Sequence, residues 1–333
     1  MSLFVGKRMA LSVSLLVSIN IAFINIAQAD MSDVGGVLSY ASAPETTRWG
    51  LSGNVFECRF EQPIKGYGRA VFSQKAGEDV SFHLETDRNL MAYSQANVGI
   101  SPAPWQPGQQ SEQLGNVKIQ SDSPSIVLDN DRSNRFLHAL LQGRWPTIYH
   151  SAFYDANKQV QVQVSAVSFQ NAYRDYLSCI NQLVSVNFDQ VGRTKVFFNT
   201  GDEELDKADL TELNRVIYYI KQDPRINAIY LDGHTDNVGR RYDNRQMSKR
   251  RVELVEGYFL SQGINPEIIT TRFHGGRYPV ANNNTAAGRA ANRRVTIRLE
   301  QDNTPLPSNL VFKLPKGSTA LPPEALYSNS AQR

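Results

Sequence analysis

The chain has 333 residues, of which 41% are apolar, enough for two cores of ordinary domain size. Its formal charge is only +3, from 35 basic and 32 acidic side chains. That balance argues against a nucleic-acid partner, which needs a concentrated basic face.

Residues 1–29 read as a secretory signal peptide. Lys7 and Arg8 form a basic start, Met9 to Ile26 is mostly apolar, and Ala27-Gln28-Ala29 is a small-x-small cleavage pattern before Asp30. An uncleaved anchor is the alternative, but Ser12, Ser14, Ser18, Asn20 and Asn25 interrupt a run barely long enough to span a bilayer. No Cys stands directly after the cleavage site, which argues against a lipid anchor. Removal of this segment on export leaves 33 basic against 32 acidic residues. Cys58 and Cys179 are the two cysteines. In an oxidising compartment such a pair reads as a disulfide, with two buried thiols as the alternative. A bond closing so long a loop contributes about 2–5 kcal/mol.

Residues 30–44 are polar and expected to be loose. A β-rich first domain is expected over 47–186. Alternation marks strands at Val80–Leu84 and Val160–Ala166, with shorter candidates at Ala70–Phe72 and Val117–Ile119. Helical spacing marks Asn134–Gln142 and Phe169–Val184. Before both helices, Pro102, Pro104 and Pro107 stiffen a loop that displays Trp105, as an interface anchor or as a lid on the domain's own core.

A second domain is expected over 187–300, in the order β-α-β-α-β-β, an α/β sandwich. Its elements are a strand at Val196–Phe198, a helix at Leu205–Lys221 stopped by Asp223-Pro224, and a strand at Ala228–Leu231. A helix to Gln262 before Gly263 follows, then strands at Ile268–His274 and Val295–Leu299. Residues 301–333 carry Pro305, Pro307, Pro315, Pro322 and Pro323 and read as a flexible, mostly disordered tail. Within it, Leu310-Val311-Phe312 can pair on an exposed sheet edge.

The chemistry concentrates between Gly233 and Val255, a strand, a polar loop and a helix. The loop carries Asp236, and the helix carries Arg251 fifteen residues on; Asn244 is placed as the helix N-cap. A carboxylate accepts from an ammonium, and a guanidinium gives a carboxylate two parallel hydrogen bonds. The pair therefore suits the amino-acid end of a ligand: a grip rather than a reaction. Arg293 leans on this site or on Asp236; a solvated surface pair, worth little, is the alternative. His234 reads as a brace for the loop, since no second metal ligand has convincing spacing, and His274 as structural. No Gly-x-Ser-x-Gly elbow, His-Glu-x-x-His or free Cys with a base is present, so no enzyme, metal site or cofactor is expected.

Gly233-His234-Thr235-Asp236, Gly239, Asn244, Met247-Ser248, Arg251, Gly288-Arg289 and Asn292-Arg293-Arg294-Val295 resemble the OmpA-like peptidoglycan-binding family over about a hundred residues. The resemblance implies that Asp236 and Arg251 hold diaminopimelate of the wall's stem peptide. Thr235, Asn244 and Arg293 are assigned to the same peptidoglycan-binding set. Met247 replaces the usual Leu. Val252 replaces the usual Ala, a bulk that would press the helix on its neighbour and shift Arg251.

Phe56-Glu57-Cys58-Arg59, Pro63, Gly68–Ser73, Pro104–Gly108, Gly143–Thr147, Phe169-Gln170-Asn171 and Ser178-Cys179-Ile180 resemble the MotY family, periplasmic proteins of the sodium-driven flagellar motor. That resemblance matches both cysteines. It implies a ring at the flagellar basal body, with a MotX-like protein and stator units as partners of the first domain and the wall as partner of the second. A general outer-membrane or envelope tether to peptidoglycan, without a motor role, is the alternative function.

Overall fold

Hydrophobic alternation builds the first domain as two sheets around one core. A computed structural model describes residues 31–34, 36–87, 91–92 and 95–327; the expected signal peptide lies outside them. The elements of this domain are β1 (Met31–Val34), β2 (Val37–Ala41), β3 (Gly50–Gly53), β4 (Glu57–Ile64), β5 (Gly68–Lys75), β6 (Ser81–Thr86), β7 (Gln95–Ser101), β8 (Glu112–Lys118), β9 (Ile126–Leu128), α1 (Asn130–Leu141), β10 (Trp145–Ala152), β11 (Asp155–Gln163) and α2 (Phe169–Ile180). One sheet runs β1-β2-β11-β10-β7-β8 and the other β3-β4-β5-β6-β9.

The expected loose segment 30–44 is thus partly a strand. β2 lies parallel to β11, Leu38 opposite Val160, because the outer edge of β11 otherwise exposes unpaired backbone groups. Both sheets and both helices feed a single core. Trp49 stacks on Phe60 at 4.6 Å between ring centroids, and Phe60 on Tyr176 of α2 at 5.2 Å. Cys58 of β4 and Cys179 of α2 form a disulfide. Trp105 edges onto the buried Trp145 at 5.7 Å yet stays 52% exposed, so it covers the core on one side only.

The second domain comprises α3 (Phe188–Val191), β12 (Arg193–Phe197), α4 (Lys207–Gln222), β13 (Ile226–His234), α5 (Arg241–Ser261), β14 (Ile269–Gly275), α6 (Ala286–Asn292) and β15 (Arg294–Gln301). The expected β-α-β-α-β-β order is present, with the short α3 and α6 added. The sheet runs β12-β15-β13-β14, with β13 and β14 parallel and β15 antiparallel to both its neighbours. Leu213, Val216 and Ile217 of α4 and Val252, Val255 and Phe259 of α5 share a core with Ile229, Leu231 and Ile297. α4 starts on a reciprocal capping box between Asp206 and Asp209.

Phe56 joins the domains: it follows β3 in the first yet sits in the core of the second, tilted against Tyr219 at 5.3 Å. Asn187 adds donors to the carbonyl of Ala76 and to Glu78.

The segment after β15, expected to be flexible, instead runs back along the first domain. Its prolines keep it extended, and extended chain pairs where an edge is open. Phe312 donates its backbone N–H to the carbonyl of Gly53, and Leu321 to that of Trp49; Val55 and Leu51 return bonds to Leu310 and Leu321. Leu310–Phe312 therefore does meet a sheet edge, that of β3. Ala320 is buried in the first domain's core, and α7 (Pro323–Tyr327) places the Tyr327 hydroxyl 2.7 Å from Glu61.

Candidate functional site

β13 ends in the centre of its sheet, and α5 returns directly across it. Gly233 permits this, because a Cβ there would meet the Ser248 carbonyl oxygen at 2.5 Å and Val252 Cγ2 at 2.6 Å. The bulk of Val252 is thus accommodated by the absence of a side chain on the strand below. The loop between β13 and α5 is braced from several sides. Thr235 receives a backbone partner in Gly275, and its hydroxyl donates to the Asp236 carbonyl at 2.9 Å. Asn244 donates its amide to the carbonyls of Val238 (3.0 Å) and Asp236 (3.4 Å). Ser248 Oγ accepts from the Gly275 N–H, tying β14 to the same helix.

Asn244 is not the N-cap. α5 begins three residues earlier, with Arg240 at the cap position and no side-chain capping bond. The Asn244 amide is taken up by the loop, and Arg240 pairs with Asp243 at 2.7 Å, which holds the first turn together.

Asp236 is 6% exposed. One carboxylate oxygen accepts from the Val238 N–H at 3.1 Å, the other from Arg293 Nη1 at 2.9 Å. Arg293 also donates through Nε to the Phe198 carbonyl at 2.9 Å. The weak, solvated surface pair is thereby ruled out: the two side chains keep 13% and 9% of their exposure.

Arg251 is 1% exposed. Nε donates to the Asp202 carbonyl and Nη2 to that of Asn199, and the guanidinium carbon lies 4.8 Å from the centre of the Phe198 ring. The expected free fork is therefore partly committed: two of the three nitrogens hold backbone carbonyls. Nη1 is buried and has no hydrogen-bond partner among the described residues. Burial pushes this guanidinium down to about 10, and the neighbouring Arg293 charge adds to the effect; Asp236, Glu203 and Asp202 oppose it. It stays charged at neutral pH. A buried cation with an unsatisfied donor beside a second guanidinium is a place that an anion would stabilise.

His234 is buried and stacks on His274 at 4.9 Å. Burial first, then Arg294 and His274, push its imidazole down to about 4, so it is neutral at pH 7. His274 pairs with Asp232 at 3.1 Å. Among the described residues no group of three or more His, Cys, Asp or Glu is placed to hold a metal ion.

Of the five expected residues, Asp236, Arg251 and Arg293 converge, while Thr235 and Asn244 act on the loop backbone. Phe198, Asn199 and Asp202 are further members that sequence reading missed. Asn199-Thr200-Gly201-Asp202 is recognisable as a turn, but no side-chain type announces that its carbonyls meet Arg251.

The fold of this domain is that of an OmpA-like domain, and the OmpA family model matches residues 197–293. The MotY N-terminal domain model matches residues 40–185, so the chain joins a MotY N-terminal domain to an OmpA-family domain. The sodium-type flagellar protein MotY of Vibrio parahaemolyticus is 27% identical over 263 residues, 78% of this chain and 89% of that protein. Outer membrane protein A of Bordetella avium is 37% identical over 110 residues, 32% of this chain and 57% of that protein. Among solved structures, the C-terminal domain of Helicobacter pylori MotB is 21% identical with a TM-score of 0.31, covering 33% of this chain and 86% of that one.

Proposed function

We propose that the protein is a non-enzymatic periplasmic component of a flagellar motor that anchors a basal-body ring and its stators to peptidoglycan. The observation that carries this is the convergence of Asp236, Arg293 and the half-satisfied Arg251 in an OmpA-family domain, joined to a MotY N-terminal domain. Asp236 and Arg293 already form an internal pair of opposite charges. A zwitterionic amino-acid end, that of diaminopimelate in a stem peptide, exchanges with it: its ammonium takes Asp236, and its carboxylate takes Arg293 and Arg251 Nη1. The exchange replaces one ion pair by two and satisfies the orphaned donor.

The first domain meets the basal body, a MotX-like protein and stator units in this reading. The 27% identity to a sodium-type flagellar protein over most of both chains supports that assignment. A wall is a polymer, so many weakly bound copies hold strongly together. The test is swimming in a deletion strain with flagella counted by electron microscopy. Flagellated but paralysed cells, rescued by wild type and not by Asp236→Ala, are expected. Normal swimming of the deletion strain would overturn the motor role and leave an envelope tether.

A further inference from the structure

A cavity of about 320 Å³ opens beside the loop that carries Asp236. It shares Asn237 and Gly239 with that loop, but Asp236, Arg251 and Arg293 do not line it. The two are back to back: a Cβ on Gly276, which lines the cavity, would meet the Asp236 carbonyl oxygen at 2.8 Å.

Three arginines line the cavity, Arg241, Arg245 and Arg277, and no acidic residue does. Nearby acids are engaged elsewhere: Asp243 with Arg240, and Asp232 with His274 and more loosely Arg272. Among the described residues no hydrogen bond or ion pair occupies the three guanidinium groups. Their placement is unfavourable for the bare protein. Arg241 and Arg245 stand four residues apart on one helix face, a like-charge spacing that destabilises a helix. Both also sit at the positive end of the 21-residue α5, where cations oppose the helix dipole. An anion in the cavity relieves both penalties, and Asn237 on its wall supplies a further polar group.

We propose that this cavity is a second anion subsite, taking another carboxylate of the wall ligand whose amino-acid end is held at Asp236. The inference rests on the wall-binding reading above. It makes the grip two-pointed: one zwitterionic end at Asp236, Arg251 and Arg293, and one carboxylate at Arg241, Arg245 and Arg277. Phosphate, free or on an envelope lipid, offers similar chemistry.

The test is calorimetry on the full mature chain with three probes: free diaminopimelate, a stem peptide ending in diaminopimelate and bearing a second free carboxylate, and inorganic phosphate. The proteins are wild type, Asp236→Ala, and the triple variant Arg241→Gln/Arg245→Gln/Arg277→Gln. The triple variant is expected to keep the wild-type urea midpoint, which shows that it is folded, while its affinity for the peptide falls about tenfold or more. Equal peptide affinity in wild type and triple variant would overturn the subsite. So would phosphate binding that the triple variant loses while the peptide binds both equally, since the cavity would then serve phosphate. Failure of the wall-binding reading shows separately, as Asp236→Ala binding diaminopimelate like wild type.

Discussion

Arg293 and Asp236, 57 residues apart in the chain, meet at 2.9 Å in a site from which most water is excluded. The pair closes the loop between β13 and α5 against the end of β12, because Arg293 also holds the Phe198 carbonyl. Removing one partner leaves the other charge buried. Arg293→Met is therefore expected to destabilise the protein by about 3 kcal/mol, read from urea denaturation. A double-mutant cycle with Asp236→Asn should give a coupling energy above about 1 kcal/mol, beyond the range of solvated pairs. A coupling near zero would make the pair incidental.

Arg251 has two jobs, and its substitutions should separate them. Its burial and its bonds to Asn199 and Asp202 mean that Arg251→Ala is not neutral for the fold. A loss of about 3 kcal/mol is expected, together with loss of sedimentation with peptidoglycan. Arg251→Lys keeps the charge but cannot reach both carbonyls with one ammonium, so it too should fail to sediment. Asp236→Ala should abolish sedimentation with a smaller change in urea midpoint. An Arg251→Ala protein with a wild-type midpoint would show that the carbonyl contacts carry no stability.

His234 should make the protein less stable in acid. Its folded-state value of about 4 lies below the 6.5 of an exposed imidazole. Between those values the unfolded chain binds a proton that the folded chain refuses, so stability falls as pH drops from about 6.5 towards 4. Above 6.5 the group is neutral in both states and contributes no slope. At pH 5 the loss is about 2 kcal/mol. His83 and His150 are also pushed down by burial and share the direction. His234→Gln should flatten the profile of urea midpoint against pH by its own share. An unchanged slope would mean that the buried imidazole takes up its proton at no cost.

The returning segment after β15 should act as a clasp on the first domain. A stop after Thr304 removes the partners of Leu51, Val55 and Gly53, together with the Ser318–Asp175 and Tyr327–Glu61 contacts. Hydrogen exchange at Leu51 and Val55 is then expected to accelerate about tenfold or more, while the amides of β13 keep their protection. Equal exchange in full-length and shortened chains would show that the segment rests on β3 without holding it.

Much of the second domain was legible in the chain itself, because its signals are local. Apolar spacing over Ile229–Leu231 and Val252–Phe259, with a polar loop between, dictates strand, loop and helix, and places Asp236 and Arg251 at the two ends of one unit. The pairing of Cys58 with Cys179 was readable for a different reason: the chain has two cysteines, and each has only the other. Asn244 shows where local reading fails, since a good capping residue is displaced when its amide finds better partners in the loop it follows.

Tertiary structure alone decided the rest, wherever the partner is distant in sequence or is backbone. Arg251 is held by carbonyls at Asn199 and Asp202, and a carbonyl is the same on every residue, so no side-chain identity could signal the contact. The tail's prolines dictate an extended chain, but whether it lies in solvent or on β3 depends on an edge more than 250 residues earlier. Spacing along the chain thus determined which residues carry the proposed wall-binding chemistry. Packing determined that Asp236 and Arg293 neutralise each other and that one donor of Arg251 is left unsatisfied, because burial turns weak solvated charges into strong local ones.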